Sequence, residues 1–162
     1  MGLKAAMWVH GSILQTSDVT VTVERNEVGT VVTTSAVVDQ DHLHDVHFPI
    51  TTPVILDDAR PQLRKVFVFY ATDSLSSIRR IDIMDGPNRV KTFETNLSGD
   101  HRSRIDEFNS FVVDPPLTIF FGLAISVFVR FLTKLGQSQI IFTTAGADFA
   151  DSIIAPPPAR EP

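Results

Sequence analysis

The 162-residue chain contains no cysteine. That removes disulfide staples, thiolate metal sites and thiol nucleophiles, and it fits a reducing compartment. Only 20% of residues are charged, and the 14 Lys and Arg are scattered through a chain of net charge -5. A nucleic-acid binder gathers its cations into a patch or stripe, so DNA and RNA are not expected partners. Long apolar runs are missing as well. The longest, "LTIFFGLAISVFV" from Leu117 to Val129, meets Arg130 well short of the roughly 20 residues a spanning helix needs. The opening "MGLKAAMWVHG" is too short and too polar for a secretory leader. The expectation is a cytoplasmic protein without a membrane span, in which the sequon at Asn96 to Ser98 carries no sugar.

Familiar catalytic signatures are also absent. The chain has no GxSxG elbow, no GxxxxGK[ST] loop, no HExxH and no GxGxxG after a strand. Asp57 and Asp58 are adjacent in a stretch that reads as loop, which is poor geometry for a glycosidase pair.

What the chain does have is alternation. In "VTVTVER", Val19, Val21 and Val23 point one way and Thr20, Thr22 and Glu24 the other, the pattern of a half-buried strand. "GTVVTTSAVV" follows after a polar, Gly-containing turn and pairs with it as a hairpin. "KVFVFYAT", "IRRIDIM", "RVKTFET" and "FNSFVV" repeat the theme, separated by "DSLSS", "DGPN" and "NLSGDHRS", which carry the residues turns use. Asp85 in "DGPN" is expected to stabilise its turn rather than to bind calcium. "IFFGLAISVFVRF" reads as a long strand with Gly122 at a bulge or bend, and "IIFTTAGADF" as another strand. Helical patterning is confined to a single turn in "DDARPQLRKV" before Pro61.

The expected fold is therefore all-β: an antiparallel, jelly-roll-like β-sandwich of roughly ten strands, with a closed β-barrel as the alternative. One domain should span residues 1–154, and the Pro-rich "APPPAREP" from Ala155 should form an extended tail.

"AAMWVHG", "HFPITTPV", "GLAISVFVRF" and "IIFTTAGADF" together resemble a group of small single-domain all-β proteins of uncharacterised function from bacteria and fungi. The resemblance runs from about Ala5 to Phe149 and implies a compact β-sandwich without supplying an activity.

The densest chemistry is "DQDHLHDVHF", where His42, His44 and His47 stand beside Asp41 and Asp45. On a strand, His42 and His44 share a face and His47 takes the other, so at most two of the three imidazoles can grip one ion. Asp41, His10 or His101 would have to complete the shell of a divalent transition metal. His-x-His on a strand resembles the first motif of cupin metalloenzymes, and His42 and His44 match it. No glycine stands six residues before His42, no glutamate follows at the expected place, and "FPITTP" fills that space. The preferred expectation is a solvated strand edge or an intersubunit contact, with no cofactor.

Other polar candidates are His10, Tyr70 and Arg80, which would serve a small-molecule site if the β-fold enclosed a pocket. Trp8, the only Trp, shares a face with His10 and is expected to anchor the core, with sugar stacking as the sharper alternative. Arg80 and Asp82 share a face while Arg79 falls among the apolar positions of Ile81 and Ile83, and "GDHRSRIDE" is expected to be a solvated charged loop. These features point to a non-catalytic β-sandwich module that self-associates, or binds a protein or small-molecule ligand, through loops and an apolar sheet face. The alternatives are a metal-dependent enzyme using His42 and His44, and an enzyme or binder with an internal pocket.

Overall fold

The computed structural model describes residues 3–34, 42–53, 55, 59–132 and 138–150. They form two antiparallel sheets packed face to face. The chain runs β1 (Leu3–His10), a 3-10 turn (Gly11–Ile13), β2 (Val21–Arg25), β3 (Thr30–Thr34), β4 (His44–Ile50), β5 (Gln62–Thr72), β6 (Ser76–Asp85), β7 (Asn88–Leu97), β8 (Ser110–Thr118), β9 (Leu123–Phe131) and β10 (Gln139–Ala150).

One sheet has the order β2-β3-β10-β5-β8, with β1 also pairing β10; the other has the order β4-β9-β6-β7. Among the described residues both sheets are open, and the barrel alternative is not what they form. The Pro-rich tail, Asp41, Asp57 and Asp58 lie outside the described residues.

Period-two alternation drives the packing. Val66, Val68 and Tyr70 on β5, with Ala145, Ala147 and Phe149 on β10, face Val46 and Phe48 on β4, Ile125, Val127 and Val129 on β9, and Ile78, Ile81 and Ile83 on β6. Each Val, Ile or Phe among them contributes about 1.5–3 kcal/mol by leaving water. The space between the sheets is this core.

The twelve-residue β10 has two partners along one edge. β3 pairs with it from Gln139 to Phe142, and β1 takes over from Thr144 to Ala150. The handover coincides with a bulge between Phe142 and Thr144 in the β10–β5 pairing. Gly11 passes so close that a Cβ there would stand 2.1 Å from the Phe142 carbonyl oxygen. Only glycine lets the end of β1 reach this junction.

Several turn expectations need correction. β9 begins at Leu123, after Gly122, so Phe120 and Phe121 belong to a loop and are exposed. The carboxylate of Asp85 reaches beyond its own hairpin to accept the N–H groups of Phe120, Phe121 and Gly122. Burial raises this carboxyl, but those three N–H donors and Arg60 outweigh it and hold it below the usual range. The stretch from Gly99 to Glu107 is an organised knot rather than a loose loop. The fully buried Asn109 donates to the carbonyls of His101 and Arg104 and accepts from Asp106 N–H, while Asp106 bonds His101.

Candidate functional sites

The three clustered histidines separate as strand alternation requires. His44 points into the sandwich from the start of β4 and is 1% exposed, whereas His47 lies on the outer face. His42 precedes β4 and is exposed. A solvated strand end is therefore the wrong description for His44.

Its Nδ1 lies 2.8 Å from Asp18 Oδ2, and His42 Nε2 lies 3.5 Å from the same oxygen. The donor atoms of Asp18, His42 and His44 are all within 4.8 Å of one another. His10 and His101 do not take part. His10 caps the 3-10 turn through Ser12, and His101 bonds Asp106 and the Ser98 carbonyl.

Asp18 is not a residue that the sequence singles out. It stands 26 positions from His44, and its only signal was its place just before a strand. Burial raises its carboxyl, but the side-chain and backbone hydrogen bonds from Thr20, with His44, outweigh that and hold it at about 2.

The outer face of the four-stranded sheet carries a polar row. His47, Ser126, Asp82 and Thr92 are cross-strand neighbours on β4, β9, β6 and β7. His47 bonds Ser126 Oγ at 2.8 Å and Asp45 at 2.6 Å, and Thr92 donates to Asp82 at 2.7 Å. Arg80 lies over the Phe128 ring at 3.7 Å and reaches Asp82 at 3.3 Å. The shared face expected for Arg80 and Asp82 is therefore present. A bulge between Ile78 and Arg80 takes Arg79 out of the apolar register and lets it donate to Asn96.

The order Asp45, His47, Ser126 is that of a carboxylate–imidazole–hydroxyl relay. Acyl transfer also needs an accessible hydroxyl and free N–H donors for the oxyanion. The Ser126 side chain is buried in a strand paired on both sides, so it meets neither requirement.

On the six-stranded sheet the outer face is different. Trp8 on β1, Gly146 on β10 and Phe67 on β5 form one cross-strand row. The indole lies across Gly146, where a Cβ would stand 2.4 Å from the ring, and stacks on Phe67 with centroids 4.9 Å apart and planes at 29°. Phe69 meets its edge at 5.8 Å. Trp8 is 41% exposed, so it covers Phe67 and presents its other side to solvent. The expectation that Trp8 anchors the core is thus corrected, and its shared face with His10 holds.

Two residues further along the same strands, Lys65 and Asp148 open onto a groove of about 440 Å³ that Leu3, Val112, Asp114 and Pro116 also line. The Asp148 carboxyl is raised by burial, with Lys65 opposing the shift.

His10, Tyr70 and Arg80 do not share a pocket. His10 is at the outer end of β1, Tyr70 is fully buried on the inner side of β5 with its hydroxyl 3.4 Å from the Phe108 carbonyl, and Arg80 is outside the other sheet. Burial raises the Tyr70 phenol far above its ordinary range.

No protein-family model and no curated protein matches the chain. Among solved structures, a low-affinity xylan-binding module from the xylanolytic gut symbiont Roseburia intestinalis has a similar fold. The TM-score is 0.53 at 10% identity, covering 91% of this chain and 97% of that one. The likeness spans both sheets and identifies the architecture as that of a β-sandwich. No helix among the described residues is long and apolar enough to cross a membrane.

Proposed function

We propose that this domain is a non-catalytic binding module that takes an extended carbohydrate chain on the outer face of its six-stranded sheet. The observation that carries this is Trp8, fixed flat across Gly146 and backed by Phe67, with one side of the indole open to solvent. A pyranose ring presents an apolar C–H face, and a rigid aromatic plane binds it with little loss of conformational freedom. Lys65, Asp114 and Asp148 in the adjoining groove supply hydrogen-bond partners for the hydroxyls of the next sugar. Likeness in fold to a xylan-binding module makes a β-linked glycan the natural first ligand.

Affinity electrophoresis through gels containing soluble xylan, beside gels with an unrelated polysaccharide, tests this. Retarded migration of the wild type that Trp8→Ala restores to the ligand-free rate is expected. Equal migration in all gels, or retardation that Trp8→Ala leaves untouched, would refute it. The self-association alternative places a second copy of the chain on the same surface, and light scattering at the gel concentration separates the two.

A further inference from the structure

We infer that Asp18, His42 and His44 form a zinc site that clips the segment before β2 onto the start of β4, independently of the Trp8 face. Two imidazoles and a carboxylate, with a fourth position left to water, are a donor set that Zn²⁺ takes readily.

The three donor atoms, all within 4.8 Å of one another, are near the spacing the ion needs. In a tetrahedral zinc site the donors stand about 3.3–3.5 Å apart, given metal–ligand distances near 2.0–2.2 Å. The His42 Nε2 to Asp18 Oδ2 separation is 3.5 Å, and the His44 Nδ1 to Asp18 Oδ2 separation of 2.8 Å needs only a small opening.

The surroundings orient the ligands. Thr20 gives both its backbone N–H and its hydroxyl to Asp18 Oδ1, which leaves Oδ2 facing the imidazoles. Carboxylates that ligate metals are held by outer hydrogen bonds of this kind. His42 is 53% exposed, so the ion has an open route from solvent.

A second observation concerns charge between the groups. His44 Nδ1 faces two oxygens, Asp18 Oδ2 at 2.8 Å and Thr20 Oγ1 at 3.0 Å, and the Thr20 proton is engaged by Asp18. Nδ1 can meet these oxygens only as an N–H donor or across a cation. The other ring nitrogen, Nε2, is buried without a hydrogen-bond partner, and the ring lies 5.5 Å from that of Phe131. An N–H group tolerates an aromatic neighbour better than a lone pair does. With the proton on Nε2, the Nδ1 lone pair would be left to bind the ion.

The test uses full-length, tag-free protein prepared without an immobilised metal column, dialysed against Zn²⁺ and analysed for bound metal. Co²⁺ titration followed by visible absorption reports the ligand geometry. His42→Ala changes an exposed side chain, and Asp18→Asn keeps the shape of the turn, so both should stay folded. We expect one zinc per wild-type chain, a tetrahedral Co²⁺ spectrum, and a Zn²⁺-dependent rise in Tm. Either substitution should weaken binding by about tenfold or more and remove the Tm response. A wild type that binds no Zn²⁺ at micromolar concentration would mean that a proton alone fills the gap and would overturn the inference. Binding that survives both substitutions would do the same.

Discussion

The two outer faces of this sandwich are built by the same alternation and finish in opposite states. On the four-stranded sheet, His47 bonds Ser126 and Thr92 bonds Asp82 across the strands, while Arg80 pairs with Asp82 along β6, so the polar groups are largely consumed by neighbours. On the six-stranded sheet, Trp8 and Phe67 stack over a glycine, and the outermost ring has water on its free side. A surface whose groups already satisfy one another gains little from a ligand, whereas an exposed rigid aromatic plane loses unfavourable hydration when covered. The contrast supports the proposed binding surface on the Trp8 face.

The largest expected effect comes from breaking the junction that brings β1, and so Trp8, into its sheet. Gly11→Ala would drive a Cβ into the Phe142 carbonyl. It should cost about 3 kcal/mol or more in urea unfolding and abolish ligand binding as β1 detaches. The complementary change on the other face is Asp82→Ala. It strands Arg80 and Thr92 beside a buried vacancy. A loss of about 2–3 kcal/mol with unchanged carbohydrate affinity is expected. Equal loss of affinity in the folded variant would erase the distinction between the faces.

Asp18 lies at neither face, and in metal-free protein its contribution to stability should follow pH. Its carboxyl is held at about 2 in the folded chain against 3.8 as the ordinary value. A depressed folded value means stability that is fully present above about pH 4 and is lost as pH falls towards 2. Asp18→Asn should therefore cost about 2 kcal/mol at neutral pH and flatten the acid limb of the stability profile. The smallest effect on stability sharpens the comparison most. Gly146→Ala pushes the indole off Phe67, and we expect less than about 1 kcal/mol in unfolding with about a tenfold loss of carbohydrate affinity.

How much of this was legible in the chain follows from what alternation can and cannot encode. Strands such as "VTVTVER" and "KVFVFYAT" announce themselves, because side chains of opposite character at successive positions must face opposite ways. The separation of His44 from His47 followed from the same rule. Alternation cannot say which face of a strand turns inward when both carry large apolar groups. β5 has Phe67 and Phe69 on one side and Val66, Val68 and Tyr70 on the other, and only the paired strands decide that the phenylalanines lie outside.

The same ambiguity hides the outward direction of Trp8, although Gly146 in the middle of a strand is a signal of close approach. Asp18 meets His44 across the β2–β3 hairpin, a juxtaposition that no local spacing records. His10, Tyr70 and Arg80 were grouped by chemistry alone, and the sheet topology disperses them.

Trp8 is the sole tryptophan, so its emission reports on the proposed surface without labelling. The most direct measurement is a fluorescence titration of the native chain with soluble xylan oligosaccharides, repeated with acrylamide as quencher. The account predicts a saturable change in Trp8 emission, with quenching by acrylamide falling as ligand is added. Oligosaccharide binding detected by calorimetry while Trp8 emission and quenching stay constant would contradict it.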